Sequence, residues 1–199
     1  MDKTQKTKII DPTKLKRGQI IARKCFELTD RISLTLGSPI TDFIHYAIMA
    51  FPDENRNDWL TFNARVGRAM TLEPLSRFQG QNVRIYSVKE GDSEFAYSEA
   101  NRLLKMGAQY EGLFGLNYFF RILPALIAYW MRHGPRRVPW DEAPNVDSKD
   151  RINCLVLIRR CYPQLIPANC FASAFAFEQA HRDGKLILEQ EGVVPTFTR

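Results

Sequence analysis

Short apolar segments with strand character, separated by turn-forming residues, fill most of the first half of the chain. The last of them, residues 82–88, alternates between apolar and polar positions, which is the period of two that a pleated strand imposes. Residues 43–49 and 59–64 lie close enough in sequence to pair as a hairpin with a longish loop. The predicted strands cover residues 17–22, 43–49, 59–64, 68–72 and 82–88.

Apolar positions recur at helical spacing in residues 26–36 and again through the second half of the chain. Asp92 can cap a helix that runs to about residue 106, because its side chain can accept from the first backbone N–H groups. Further helices are predicted at residues 151–161 and 167–183, the latter followed by Gly184. Because strands come first and helices later, the pattern predicts an α+β fold with an antiparallel sheet.

A long apolar stretch at residues 113–131 raises the question of a membrane span. Asn117, Arg121 and Pro124 interrupt it, and a charged residue near the bilayer midplane costs roughly 2.5–3.5 kcal/mol. We therefore predict a kinked buried or interface helix rather than a span, while contact with a membrane surface stays open. Residues 1–8 are basic but precede no apolar run with a cleavage site, so no secretory signal is predicted.

The composition is that of one globular domain with a substantial core, since 45% of the 199 residues are hydrophobic. We divide the chain into a basic N-terminal extension (1–15), one domain (16–185) and a C-terminal tail (186–199). The net charge of +6 favours acidic partners such as cell-wall polymers or anionic lipid. The basic residues are spread along the chain, so nucleic acid is not predicted as a partner.

The four cysteines show no metal-binding or disulfide pattern. They lack a Cys-x-x-Cys element, and the three histidines form no cluster with them, so we predict reduced thiols, no metal and no cofactor. Cys154 and His45 are the chemically interesting pair. Cys154 stands near the start of a predicted helix, where partial positive charge lowers a thiol pKa, and an imidazole nearby can take its proton. Taken singly, each is equally typical of a packed core residue.

Four short motifs occur in an order seen in one family. They are Gly-Gln-Ile-Ile at residues 18–21, Phe-Ile-His-Tyr-Ala-Ile at 43–48, Gly-Ala-Gln-Tyr at 107–110 and Asn-Cys-Leu-Val at 153–156. In this order the chain, from about residue 16 to 180, resembles the circularly permuted branch of the NlpC-type papain-like cysteine hydrolases. The resemblance implies a papain-like antiparallel sheet packed against helices. The chain departs from the family pattern at Gln19, where Asp is usual, and at Leu155 and Val156, where Ser and Glu are usual.

The resemblance also implies a site and a chemistry. Cys154 would be the nucleophile, His45 the general base and acid, and Asn63 the residue that orients the imidazole. The family's substrates are peptide amides of bacterial cell walls and, in some permuted members, acyl groups of lipids. The expected activity is that of a cysteine amidase or peptidase on a cell-wall peptide.

Two alternatives to the peptidase stay open at this point. One is a non-catalytic binding or structural module on the same fold, for example a component of a larger assembly such as a phage particle. The other is a lipid-directed acyl hydrolase or transferase that uses residues 113–131 at a membrane surface. An exposed, reactive thiol favours an enzyme, whereas burial of Cys154 or a His45 that points into the core favours the module. Without a secretory signal, the expected location is the cytoplasm or a phage particle.

Overall fold

The computed structural model describes residues 8–24, 43–65, 68–110, 124, 127–128, 131–132, 151–167, 172 and 174–197. The strands in these ranges are β1 (Ile20–Lys24), β2 (Phe43–Asp53), β3 (Asp58–Asn63), β4 (Thr71–Pro74), β5 (Asn82–Val88), β6 (Gln109–Tyr110), β7 (Arg151–Ile152) and β8 (Leu186–Val193). The helices are α1 (Ser93–Lys105), α2 (Cys154–Cys161) and α3 (Ala174–Arg182), with single 3-10 turns at Pro12–Lys14 and Leu75–Phe78.

The main sheet has six antiparallel strands in the order β4-β3-β2-β1-β5-β8. Strands β6 and β7 form a separate parallel pair. The α+β class with an antiparallel sheet is therefore confirmed. The two central strands, β2 and β1, are paired on both sides, so β2 is fixed in register between β1 and β3.

Several predicted elements have different bounds in the structure. The helix predicted from residue 151 begins at Cys154, because residues 151–152 pair with β6 as strand β7. The strand predicted at residues 68–72 is displaced to β4. The predicted helix at 26–36 and nearly all of the 113–131 stretch lie outside the described residues. Within the part of the chain that is described, no helix combines the length and apolar character needed to cross a bilayer.

Both chain ends contribute to the domain, which corrects the division into an extension, a domain and a tail. Residues 186–193 of the expected tail form β8, which pairs along the whole of β5. Ile10 of the expected extension is 1% exposed, and its N–H donates to the carbonyl of Val193. Strand β8 satisfies backbone groups that would otherwise stand open at the β5 edge.

Side chains alternate along the strands between two apolar clusters, one on each side of the sheet. The helix face carries Tyr46, Ile48 and Phe62, packed in one cluster with residues of α1, α2 and α3. The opposite face carries Ala47 and Met49, packed with the Leu75–Phe78 turn and the N-terminal segment. The helices therefore cover one side of β2 and β3, and α2 brings its first residue to that side.

Gly18 is a backbone position that only glycine fits, and it gives a first prediction. Its φ is +80°, and an added Cβ would lie 2.7 Å from Ser93 Cβ and 2.8 Å from the Tyr162 hydroxyl oxygen. Gly18→Ala is therefore expected to lower the free energy of unfolding by about 2–4 kcal/mol, measured by urea denaturation. Gly80→Ala is the control, since Gly80 has φ +75° but no atom within 4 Å of the added Cβ. Equal losses in both variants would contradict the steric explanation.

Candidate active site

His45 and Asn63 lie on neighbouring strands and are joined by a side-chain hydrogen bond. His45 is on β2 and Asn63 is the last residue of β3, where it pairs in register with Ala47. Because residues two apart on a strand share a face, both side chains project to the same side of the sheet. The distance from His45 Nε2 to Asn63 Oδ1 is 2.9 Å. When Nε2 donates to the amide oxygen, the neutral ring carries its lone pair on Nδ1.

A second pair of bonds anchors the amide of Asn63. Its Nδ2 donates to Thr61 Oγ1 at 2.6 Å and to the Thr61 carbonyl at 3.3 Å. Thr61 Oγ1 in turn donates to the carbonyl of Glu73 on β4 at 2.9 Å. Thr61 and Asn63 are both fully buried. The sequence analysis missed Thr61, although its position two residues before Asn63 on one strand is the signal that could have found it.

Cys154 is the first residue of α2, and Asn153 caps that helix. The Asn153 side chain accepts from the N–H groups of Leu155 and Val156, which is the role in which asparagine is favoured before a helix. Backbone N–H groups of Tyr46, Leu155 and Cys154 itself lie close enough to the thiol to lower its pKa. Since Tyr46 is on β2, the thiol lies near that strand, beside the residue that follows His45.

Burial controls the protonation of Cys154 and corrects the expectation drawn from the helix start. The residue is 8% exposed, and burial raises the pKa of its thiol above the ordinary value. The backbone N–H groups and the charge of Arg23 lower the pKa but do not offset the burial. The resting group is therefore a neutral thiol at neutral pH, and its use as a nucleophile requires a base that removes the proton.

A β-bulge lies between β1 and β2 beside His45. Arg23 pairs with His45 and Lys24 pairs with Phe43, so one extra residue of β2 stands between the two pairs. Bulges bend a strand and redirect its side chains, and they are frequent next to active sites. Here the bulge falls where β2 passes the start of α2. The His45 ring also lies 5.9 Å from the Phe78 ring on the opposite face, measured between centroids.

Positive charge gathers close to the His45–Asn63 pair. Arg65 and Arg77 both bind the buried carboxylate of Glu73, with N to O distances of 2.8 and 3.3 Å. The pKa of Arg65 is lowered first by its burial and then by the charges of neighbouring arginines, against the opposing effect of Glu73. The neighbouring arginines are Arg77, Arg23 and Arg68. Four guanidinium groups and one carboxylate thus form a basic cluster at this end of the sheet.

The two cysteines within the described ranges, Cys154 and Cys161, are both buried thiols at opposite ends of α2. Burial raises the pKa of Cys161 as well, far above its usual range. Cys25 and Cys170 lie outside the described residues. Among the residues that the structure describes, no three His, Cys, Asp or Glu side chains are grouped as metal ligands.

The raised thiol pKa values predict a loss of stability in alkali. A thiol titrates near pH 8.5 in the unfolded chain, so the folded state holds its protons more tightly above that pH. The stabilisation is complete below about pH 8.5 and is lost as the pH rises towards the folded pKa, by up to about 1.4 kcal/mol per pH unit per thiol. Urea denaturation of the protein and of Cys161→Ala from about pH 7.5 to 9.5 measures this. We expect the free energy of unfolding to fall less steeply with pH in Cys161→Ala than in the unsubstituted protein. Identical slopes would contradict the raised pKa of Cys161.

The structure brings two of the three predicted site residues into direct contact and places the third on the other face of the sheet. His45 and Asn63 share a hydrogen bond on the face that carries Ala47 and Met49, whereas Cys154 packs in the helix-face cluster, close to the backbone of Tyr46 on β2. No protein-family model matches the chain, and no curated protein matches it. The functional conclusion therefore depends on the chemistry of these residues.

Proposed function

We propose that the protein is a cysteine acyl hydrolase with a papain-like arrangement, in which Cys154 attacks an amide carbonyl and His45 is the base. One observation carries the proposal. The His45–Asn63 hydrogen bond joins β3 to β2, and the Cys154 thiol, at the N-terminus of a helix, lies near the β2 backbone at Tyr46. A nucleophile, a base and a group that orients the base are the three parts that such catalysis requires.

The proposed reaction requires the His45 ring, which rests on the Phe78 side of the sheet, to reach the Cys154 thiol on the helix side. As the Cys154 sulfur bonds to the substrate carbonyl carbon, its proton passes to Nδ1 of His45, and the carbonyl oxygen becomes an oxyanion. The backbone N–H of Cys154 is the proposed donor to that oxyanion, since the N–H groups of Leu155 and Val156 donate to the Asn153 side chain. The intermediate collapses to a thioester, and the amine leaves with the proton from His45. Water then attacks the thioester with His45 as base, which releases a carboxylic acid and restores the thiol.

The raised pKa of Cys154 decides which version of this chemistry applies. A buried thiol is too weakly ionised at neutral pH to react as a standing thiolate. Proton removal must therefore accompany the attack, which makes the orientation of His45 essential. The buried Asn63 amide supplies that orientation in the same way that a buried acceptor orients the imidazole of other triads.

The basic cluster of Arg23, Arg65, Arg68 and Arg77 favours a substrate that carries negative charge. In register, Arg23 lies directly opposite His45, so the cluster begins beside the base. Cell-wall peptides carry free carboxylates, and we propose a peptide amide of this anionic kind as the substrate. A lipid ester with an anionic headgroup shares the charge, but residues 113–131, on which the lipid hypothesis relied, lie almost entirely outside the described residues.

A second candidate function is a non-catalytic module on this fold, such as a part of a larger protein assembly. Two observations favour it. Cys154 is 8% exposed, and it packs in the helix-face cluster, whereas His45 contacts Phe78 of the opposite cluster. If the protein is such a module, the Asn63 amide serves only as a hydrogen-bond partner for the half-buried imidazole of His45.

Acyl transfer to the protein distinguishes the two candidates. The protein is incubated with activated esters of one acyl chain, with and without a carboxylate, and with matched peptide amides. Intact mass and peptide mapping then locate any adduct. The hydrolase predicts a transient acyl group on Cys154, formed faster from the anionic ester. The module predicts no adduct at Cys154, or one that forms no faster than on Cys161 in the same helix.

A further inference from the structure

We infer that Thr61 is a positioning residue that fixes the tautomer of His45 through the amide of Asn63. The inference rests on the proposed function for its catalytic consequence. The hydrogen-bond chain runs from the Glu73 carbonyl through Thr61 Oγ1 and the Asn63 amide to His45 Nε2, with lengths of 2.9, 2.6 and 2.9 Å. The direction of every bond in this chain follows from its first member.

The Glu73 carbonyl can only accept, so the single hydroxyl proton of Thr61 must point to it. Thr61 Oγ1 then has only lone pairs to offer Asn63, which must present its NH₂ group to Thr61. The Asn63 Oδ1 is thereby turned to His45, and Nε2 of the imidazole must carry a proton to donate to it. In the neutral ring the lone pair then resides on Nδ1, the nitrogen that a base acting on Cys154 needs.

The opposite orientation of the Asn63 amide is disfavoured by the same contacts. It would place Oδ1 against the Thr61 carbonyl, which is 3.3 Å from Nδ2, and it would turn NH₂ towards His45. His45 would then accept at Nε2 and hold its proton at Nδ1, where it blocks the base. Because both acceptors belong to Thr61, removing the hydroxyl weakens the preference but leaves the longer backbone contact in place.

The acceptor at the far end of the chain is itself held in position. Thr61 and Glu73 are paired in register between β3 and β4, and the Glu73 carboxylate binds Arg65 and Arg77.

Thr71 gives a matched control on the same strand as Glu73. Its hydroxyl lies 3.4 Å from the Glu73 carboxylate and is not a link between Asn63 and the Glu73 carbonyl.

The test measures the tautomer of His45 directly, by ¹⁵N NMR of histidine-labelled protein, with the His45 signals identified by their loss in His45→Gln. The unsubstituted protein is expected to show a protonated Nε2 and an unprotonated Nδ1 at a pH where the ring is neutral. Thr61→Val is expected to raise the Nδ1-protonated population and to slow acylation of Cys154 about tenfold, the effect of one hydrogen bond. Thr61→Ser and Thr71→Val are expected to stay within about twofold of the unsubstituted protein.

Two results would overturn the inference. One is an Nδ1-protonated ring in the unsubstituted protein, which needs no variant to fold. The other is Thr61→Ser, which keeps the hydroxyl, shifting the tautomer as much as Thr61→Val does. The proposed function fails separately: if acylation of Cys154 is absent while the tautomer shifts as expected, the positioning role of Thr61 stands and the hydrolase does not.

Discussion

Replacement of His45 by alanine is expected to slow acylation of Cys154 by about 10²- to 10⁴-fold at neutral pH, the usual contribution of a general base. The reason is the raised thiol pKa, since a buried neutral thiol cannot attack a carbonyl unless its proton has an acceptor. The measurement is the rate at which an activated anionic ester labels Cys154, followed by intact mass. Raising the pH should restore part of the rate in His45→Ala, because hydroxide then replaces the missing base.

His181→Ala is the matched control for this variant. His181 lies on α3, where its ring packs against Tyr86 with centroids 5.1 Å apart, away from the His45–Asn63 pair. The His181→Ala substitution removes an imidazole, as His45→Ala does, but leaves the proposed base in place. Equal rates for His45→Ala and the unsubstituted protein would eliminate the catalytic role of His45, and a similar slowing in His181→Ala would point to a general loss of structure.

Removal of the Cys154 sulfur has the largest expected effect on activity. Cys154→Ala should abolish turnover of any amide or ester substrate, with a loss of at least about 10⁴-fold, because the thioester of the proposed mechanism forms on this sulfur. The free energy of unfolding should change by only about 1 kcal/mol, since a small side chain replaces another small side chain in the helix-face cluster. Turnover and urea denaturation are measured on the same preparations.

Cys161→Ala provides the comparison, because Cys161 is the last residue of the same helix and is equally a buried thiol. It should retain turnover within about twofold. Residual turnover in Cys154→Ala equal to that in Cys161→Ala would show that the sulfur does no chemistry. The structural module would then be the better account of the packing around the first turn of α2.

Local patterns predicted the strands well where apolar and polar residues alternate and turn-forming residues stand at both ends of the segment. Residues 82–88 were predicted as a strand and form β5 with those bounds. The sequence could not show that residues 186–193 pair with β5, because that contact joins segments about a hundred positions apart. Their exposed outward side chains resemble those of a tail, and it is the open edge of β5 that orders them.

The candidate site was predictable only in part. His45 and Asn63 were assigned from motif order, and antiparallel pairing of β2 with β3 brings them together. Thr61 had no motif to mark it, since its role appears only when β4 supplies the Glu73 carbonyl. The pKa of Cys154 was expected to fall because a helix start is visible in sequence. The burial that raises it depends on how α2 packs against β2, which local sequence does not specify.

The most direct test of the central claim is the pH dependence of alkylation at Cys154, read by peptide mass spectrometry in the native protein and in His45→Ala. Cys161 serves as the internal reference for a buried thiol without a base. The account predicts that Cys154 reacts much faster than Cys161 near pH 7.5, and that in His45→Ala it loses this advantage and reacts appreciably only in alkali, as an unassisted buried thiol does. Cys154 reactivity that matches Cys161 and is unchanged by the loss of His45 would contradict it.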